Sequence, residues 1–254
     1  MSFLYTYPSD MEQLFREWKK KESGKLTIEV KEGRKIRKKD IIINHSDNIF
    51  ITDGVVCPQQ WYSQKVRPLF LLKEAYTRNG TDDWDLFRDH LMLSDKKMSL
   101  LWKRVCQWTI GILNTTKDSI YAYTDQLHDE CYGNDILQKI AVVNVKKSGG
   151  RSSSSMSEIN QYADFDKNEL RRELECVDPT VIICGYTISS LNIIMGKKIK
   201  DYDYPNENWF YRTSINGHDV VVLDYYHPAN QFPDLLNYYG LMGIYQKALQ
   251  EYEK

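Results

Sequence analysis

Four short apolar runs constrain the fold more than any other feature of the chain. They are Leu69-Phe70-Leu71-Leu72, Ile140-Ala141-Val142-Val143, Val181-Ile182-Ile183-Cys184 and Val220-Val221-Val222-Leu223. Each run is continuous rather than alternating, and β-branched residues dominate the last three. A strand with this pattern is buried on both faces, as in a parallel sheet covered by helices. The order strand 181–184, helix 188–195, strand 220–223, helix 235–249 repeats the α/β unit. The expectation is a three-layer α/β fold, with a central parallel sheet of about four strands flanked by helices.

Polar residues follow these runs. The first leads into Lys73-Glu74-Ala75-Tyr76, the second ends at Asn144, the third at Gly185, and the fourth leads through Asp224-Tyr225-Tyr226 to His227-Pro228. In open α/β sheets the ligand crevice lies outside the carboxyl ends of the strands. Glu74, Asn144 and His227 are therefore expected to converge, although 70 and 83 positions separate them in sequence. A glutamate there can orient a water or stabilise a developing cation. An asparagine offers donors and acceptors suited to an amide-like edge such as a nucleobase. An imidazole held by a following proline can donate to a leaving group.

A chain of 254 residues can bury one large core, alone or with an extension. Residues 1–60 read as an N-terminal extension packed on a main domain, 61–254. Met11, Leu14, Phe15 and Trp18 form an amphipathic helical stripe. Short strands follow at 25–30 and 41–52, around the turn Glu32-Gly33 and the loop 45–48. No apolar run approaches the roughly 20 residues of a membrane span, and Met1-Ser2-Phe3-Leu4-Tyr5 lacks the features of a signal peptide. A cytoplasmic protein without membrane attachment is expected. The five cysteines, Cys57, Cys106, Cys131, Cys176 and Cys184, include no CxxC pair, so neither a metal nor a cofactor is expected. Net charge is −1, but residues 16–39 hold eleven Lys/Arg against four Glu. That local excess of seven leaves about −8 for the remainder and marks a possible footprint for phosphates.

Between the strands, 77–83 reads as a loop with Thr81 capping a helix over 84–93. Met98, Leu101, Trp102, Val105, Trp108 and Ile112 form a stronger helical stripe. The stretch 145–155, with Lys146, Lys147, Ser148, Gly149 and Arg151, reads as a flexible loop rich in donors and positive charge. A helix then extends through Val177 and breaks at Asp178-Pro179. Residues 201–211 read as an insertion loop.

In their order and rough spacing, Leu72-Lys73-Glu74-Ala75-Tyr76, Val142-Val143-Asn144 and His227-Pro228-Ala229 resemble the three motifs of the uracil-DNA glycosylase superfamily. The resemblance covers about residues 66–230 and leaves 1–60 aside. It implies a glycosylase-like hydrolase that removes a damaged or deaminated base, of uracil or hypoxanthine type, flipped from single- or double-stranded DNA. Under that resemblance Glu74 positions water, Asn144 pairs with the base edge, and His227 donates to the base carbonyl oxygen. Tyr76 walls the pocket. Lys73, Ser148, Gly149, Pro228 and Ala229 line the substrate, and Lys146, Lys147 and Arg151 contact phosphates. The sequence departs from the family pattern at Leu72, where a glycine is usual, and at Lys73, Ala75 and Ala229, in place of glutamine, proline and serine. Two alternatives share the pocket: a nucleobase- or nucleic-acid-binding module that does not cut, and a hydrolase of free nucleosides or nucleotides.

Overall fold

The structure, a computed structural model, describes residues 9–32, 35–76, 82–91, 99–123, 135–150, 154–201 and 209–252. Its centre is a six-stranded mixed sheet. The strands are β4 (Gly54–Val55), β7 (Ala141–Gly150), β5 (Pro68–Tyr76), β8 (Val181–Gly185), β10 (His218–Tyr225) and β9 (Phe210–Ile215), in that spatial order. The four inner strands are parallel to one another, and β4 and β9 close the edges in antiparallel sense. The four apolar runs are these four inner strands. Their side chains go alternately to two separate cores. Leu69, Leu71, Val143, Val145, Ile182 and Cys184 face one, and Phe70, Leu72, Val142, Ile183 and Leu223 face the other.

A single helical turn, α2 (Pro58–Trp61), follows β4, and longer helices cover each core. Helix α3 (Leu100–Asn114) and the C-terminal α7 (Asp234–Tyr252) cover one face, with Trp102, Val105, Trp108, Tyr238, Leu241, Met242 and Tyr245 buried between them and the sheet. The other face is covered by α1 (Ser9–Lys19), α4 (Met156–Phe165), α5 (Lys167–Val177) and α6 (Ile188–Met195), through Met11, Trp18, Ile159, Leu170, Leu174 and Leu191. The expected helix over 159–177 is two helices. The break is at Asp166, whose buried carboxylate lies 3.0 Å from His45 Nε2. That contact ties the N-terminal segment to the main layers, as does the place of β4 in the main sheet.

Three local expectations are corrected. The helix over 84–93 is instead a two-residue strand, β6 (Trp84–Asp85), paired in parallel with β3 (Ile51–Thr52), followed by one π-helical turn, Phe87–Leu91. Asp85 explains the departure, because its carboxylate accepts from the backbone N–H groups of Phe87 and Arg88 and draws the chain into a local turn. The end of the 201–211 loop is the start of β9, joined to β10 by Asn216 and Gly217, both at positive φ. Asn-Gly at these angles is the favoured two-residue hairpin turn. The loop over 145–155 begins as strand: β7 runs on to Gly150. Thr81, Arg151 and most of 201–211 lie outside the described residues, as does Cys131. The described cysteines are free thiols.

The continuation of β7 places a lysine inside the protein. Lys147 is fully buried beneath the rings of Phe15 and Trp18, with Nζ 2.5 Å from Asp53 and 2.8 Å from Glu173. Burial works to lower the lysine pKa, but the two carboxylates outweigh it and raise it. Burial, together with the nearby Asp53 charge, holds Glu173 well above the usual carboxylate range, against the pull of Lys147. Lys147→Met removes the only cation of this cluster and leaves two buried carboxylates facing each other. It is expected to destabilise the fold by about 3–5 kcal/mol, read as a lower urea midpoint by circular dichroism. An unchanged midpoint would mean that the carboxylates are already held neutral by protons.

Candidate functional site

Strand register brings three of the expected residues to one place. Leu71 pairs with Cys184, which pairs with Asp224; one residue further, Leu72 pairs with Asn144 and Tyr225 with Gly185. Asn144, Leu72, Gly185 and Tyr225 therefore form a row across four strands, at the carboxyl ends of β8 and β10 and inside β5 and β7. Strands lie about 4.8 Å apart, so the backbones of Asn144 and Gly185 stand about 10 Å from one another, with Leu72 between. His227 completes the row. A Cβ placed on Gly185 would lie 2.9 Å from Leu72 and 3.4–3.5 Å from His227, so only glycine lets these two approach the strand as they do. Asn144, Leu72 and the bare face of Gly185 share one side of the sheet.

Asn144 lies within β7 rather than at a strand end, and it is buried and oriented. Its backbone N–H donates to Asp53 Oδ2 at 3.0 Å, and its Nδ2 donates to the same oxygen at 2.9 Å. A carboxylate with no proton can only accept, so Asp53 fixes the amide with nitrogen toward itself and Oδ1 away. The other oxygen of Asp53 accepts from Lys147. One carboxylate thus ties the site to the buried ion cluster.

Glu74 is one register pair beyond this row, opposite Lys146. Its carboxylate accepts from Ser154 Oγ at 2.6 Å and lies 3.0 Å from Lys146 Nζ, which also reaches Glu158 at 2.8 Å. The pairing of β5 with β7 then shifts, so that Tyr76 meets Gly150. A Cβ on Gly150 would lie 2.5 Å from the Glu74 side chain. The bulge and the glycine together make room for the carboxylate, a common use of bulges beside functional sites.

His227 follows β10 and is half-buried. Its Nδ1 accepts the backbone N–H of Ala229 at 3.1 Å, so the ring proton of the neutral form belongs on Nε2. Burial, helped by the positive charge of Lys73, lowers its pKa to about 4. The loop carrying it is held by Arg104 of α3. That buried guanidinium donates to the carbonyls of Pro228 (2.9 Å), Asn230 (2.5 Å) and Phe232 (2.7 Å), and to Asp234 (2.7 Å). Arg104 carries no motif signal, since it sits among the apolar residues of a core helix.

An aromatic cluster borders the histidine. Tyr226 lies 5.5 Å from Tyr186, 5.4 Å from Trp209 and 4.9 Å from Phe232, ring centre to ring centre. Tyr186, Trp209 and Phe232 are partly exposed. Lys73 is half-buried with its ammonium over Tyr186, and burial lowers its pKa despite the opposing pull of Glu74.

The remaining expected residues divide. Tyr76 is exposed at the end of β5, Pro228 is buried and Ala229 exposed beside His227, and Gly149 is partly exposed late in β7. Lys147 as a phosphate ligand is corrected: its ammonium is sealed between two carboxylates. Lys146 is also buried and ion-paired, and Ser148 is buried with Oγ 3.4 Å from Tyr162 Oη. Neither presents its side chain to a backbone phosphate, because β7 continues where a loop was expected. Among the described residues, no group of three His, Cys, Asp or Glu side chains is arranged to hold a metal ion, and no helix is long and apolar enough to cross a membrane.

Two predictions arise from this geometry. The lowered pKa means that the folded state prefers neutral His227. Stability from this group is complete above about pH 6.5 and is lost as pH falls toward about 4. Nitrogen-15 NMR should show the Nε2–H tautomer, with no titration of His227 between pH 7 and 5; a midpoint near 6.5 would contradict the buried setting. Arg104→Lys keeps the charge but loses the planar fork. It should lower stability by about 1–3 kcal/mol and expose the 228–234 segment to limited proteolysis, whereas unchanged cleavage would show that the loop holds itself.

A comparison with known protein families returns no match, and neither does a comparison with curated proteins.

Proposed function

We propose that this protein is a DNA glycosylase-like hydrolase that cleaves the N-glycosidic bond of a damaged or deaminated base of uracil or hypoxanthine type. The observation that carries this reading is the row Asn144–Leu72–Gly185–His227. It sets an oriented amide and a neutral imidazole donor in one row on the sheet, with the Leu72 side chain between them. Glycoside cleavage passes through an oxocarbenium-like state, which a nearby carboxylate favours. Glu74 would supply that charge and orient water. His227 Nε2–H would donate to the base carbonyl as negative charge develops there, the role of a fixed oxyanion donor. The Oδ1 of Asn144 would accept from a ring N–H, which selects bases that carry one. In the reaction the C1′–N bond breaks with its electron pair leaving on the base. Water adds to C1′, and the proton it gives up neutralises the departing base.

A second reading is supported by the ion pair of Glu74 with Lys146, 3.0 Å long and buried. A carboxylate neutralised in this way is a weaker stabiliser of a cation, and the pocket would then bind a nucleobase without cutting. Oligonucleotides carrying uracil, hypoxanthine or xanthine, incubated with protein and then treated with alkali, separate the two. The hydrolase reading expects strand scission at the modified base. It also expects losses of about 10²–10⁴-fold for Glu74→Gln and about 10²–10³-fold for His227→Gln, with both variants folded by circular dichroism. Binding without an abasic product favours the second reading. Release of base from a free nucleoside, but not from oligonucleotides, would redirect the first to a nucleoside hydrolase.

A further inference from the structure

Outside the pocket, the N-terminal hairpin has no role in the fold that accounts for its composition. Strands β1 (Gly24–Glu32) and β2 (Lys35–Ile43) form a separate two-stranded antiparallel ribbon. Its base is anchored. Ile28 is buried, Gly24 lies against the ring of Phe165, and the backbone N–H of Glu29 donates to Ser157 Oγ at 3.2 Å. Strand β2 is exposed from Lys35 to Asp40, both beside these anchors and beyond them. Strand periodicity sets Lys35, Arg37 and Lys39 on one face, about 6.6 Å apart. Register pairs Lys35 with Glu32 and Lys39 with the buried Ile28 on that face, and Glu29 with Lys38 on the other, so the face keeps a surplus of two cations. A line of cations on one face suits a linear polyanion better than a compact anion. Lysines and arginines along a strand also oppose edge pairing between two copies of the ribbon.

The anchor points tie this ribbon to the pocket. Ser157 belongs to the same turn of chain as Ser154 and Glu158, which hold Glu74 and its partner Lys146. The adjacent residue of β5, Lys73, reaches the other flank, where its ammonium covers Tyr186. Tyr186 and Trp209 keep φ values of 62° and 61°. For bulky side chains this is a strained backbone, of a kind that persists where the surroundings impose it. Tyr186, Trp209 and Phe232 retain 45%, 38% and 49% of their surface. Partly exposed rings beyond His227, and a cationic strand anchored at Ser157 near Glu74, are the two components by which proteins hold unpaired nucleic acid strands.

We propose that the β1–β2 hairpin and the Tyr186–Trp209–Phe232 cluster form a surface for single-stranded nucleic acid. The hairpin cations take the phosphates and the aromatic rings take stacked bases on either side of the crevice. The inference deepens the function proposed above and rests on it for the pocket between the two flanks. An acidic peptide would satisfy the hairpin but has nothing to stack on the rings. A duplex offers phosphates but keeps its bases stacked internally.

The test is fluorescence anisotropy with the full-length protein and a labelled 20-nucleotide strand without modified bases, the matching duplex, and a polyglutamate peptide. Binding here needs no catalysis, so failure to release a base leaves this result readable. The single strand should bind more tightly than the other two. Lys35→Gln/Arg37→Gln/Lys39→Gln should weaken it at least about tenfold and reduce the slope of log affinity against log salt by about two. Tyr186→Ala/Phe232→Ala should weaken it at least about fivefold and leave the slope unchanged. Equal binding of polyglutamate, preference for duplex, or indifference to either set of substitutions would overturn the proposal. If oligonucleotide base release occurs and is insensitive to the hairpin substitutions, the pocket reading survives and the surface does not.

Discussion

The Asp53 carboxylate is the contact on which most of the site depends. It accepts from Lys147 on one side of β7 and from both the backbone and the amide of Asn144 on the other. Buried ions are costly unless closely paired, because desolvation opposes them. Here the pairing draws the edge segment 50–55 onto β7, leads the strand to Gly150, and fixes which end of the Asn144 amide faces the crevice. A hydrophobic replacement of the cluster could pack as well, but it would leave the amide free to turn.

The strands were the legible part of the sequence. Continuous apolar runs are distinctive because few other structures bury every residue, and the four runs are the four parallel strands. Helices 188–195 and 235–249 also agree closely with Ile188–Met195 and Asp234–Tyr252. The expectation that Asn144 and His227 approach one another rested on both closing their strands, whereas Asn144 lies inside β7. What was not legible depended on partners distant in sequence. Lys146, Lys147, Ser148 and Gly149 carry the composition of a loop, yet β7 continues through them, since Asp53 and Glu173 satisfy the lysine charge. Arg104 looked like one polar residue of a core helix, and its four acceptors lie about 130 positions away. The Asn216-Gly217 turn is a hairpin signal in the sequence, but the aromatic, acid-rich stretch before it masks the start of β9.

The loop after His227 also shows how a short segment is held rigid without secondary structure of its own. Arg104 collects three carbonyls, and Asn237 donates to Asn230 and to the carbonyls of Phe232 and Pro233. Those acceptors would otherwise face apolar side chains of α3 and α7. Satisfying them from neighbouring helices gives the imidazole a fixed position while the residues around it stay open to solvent.

The backbone at Tyr186 and Trp209 has a consequence for how this protein could be altered. Left-handed conformations of bulky residues cost about 1–3 kcal/mol each, and glycine would adopt them without strain. Glycine at either position would relieve that strain but would remove the ring contacts with Tyr226 and loosen the unfolded chain. The strained backbone and the exposed rings are thus carried by the same two residues, and neither can be changed without the other.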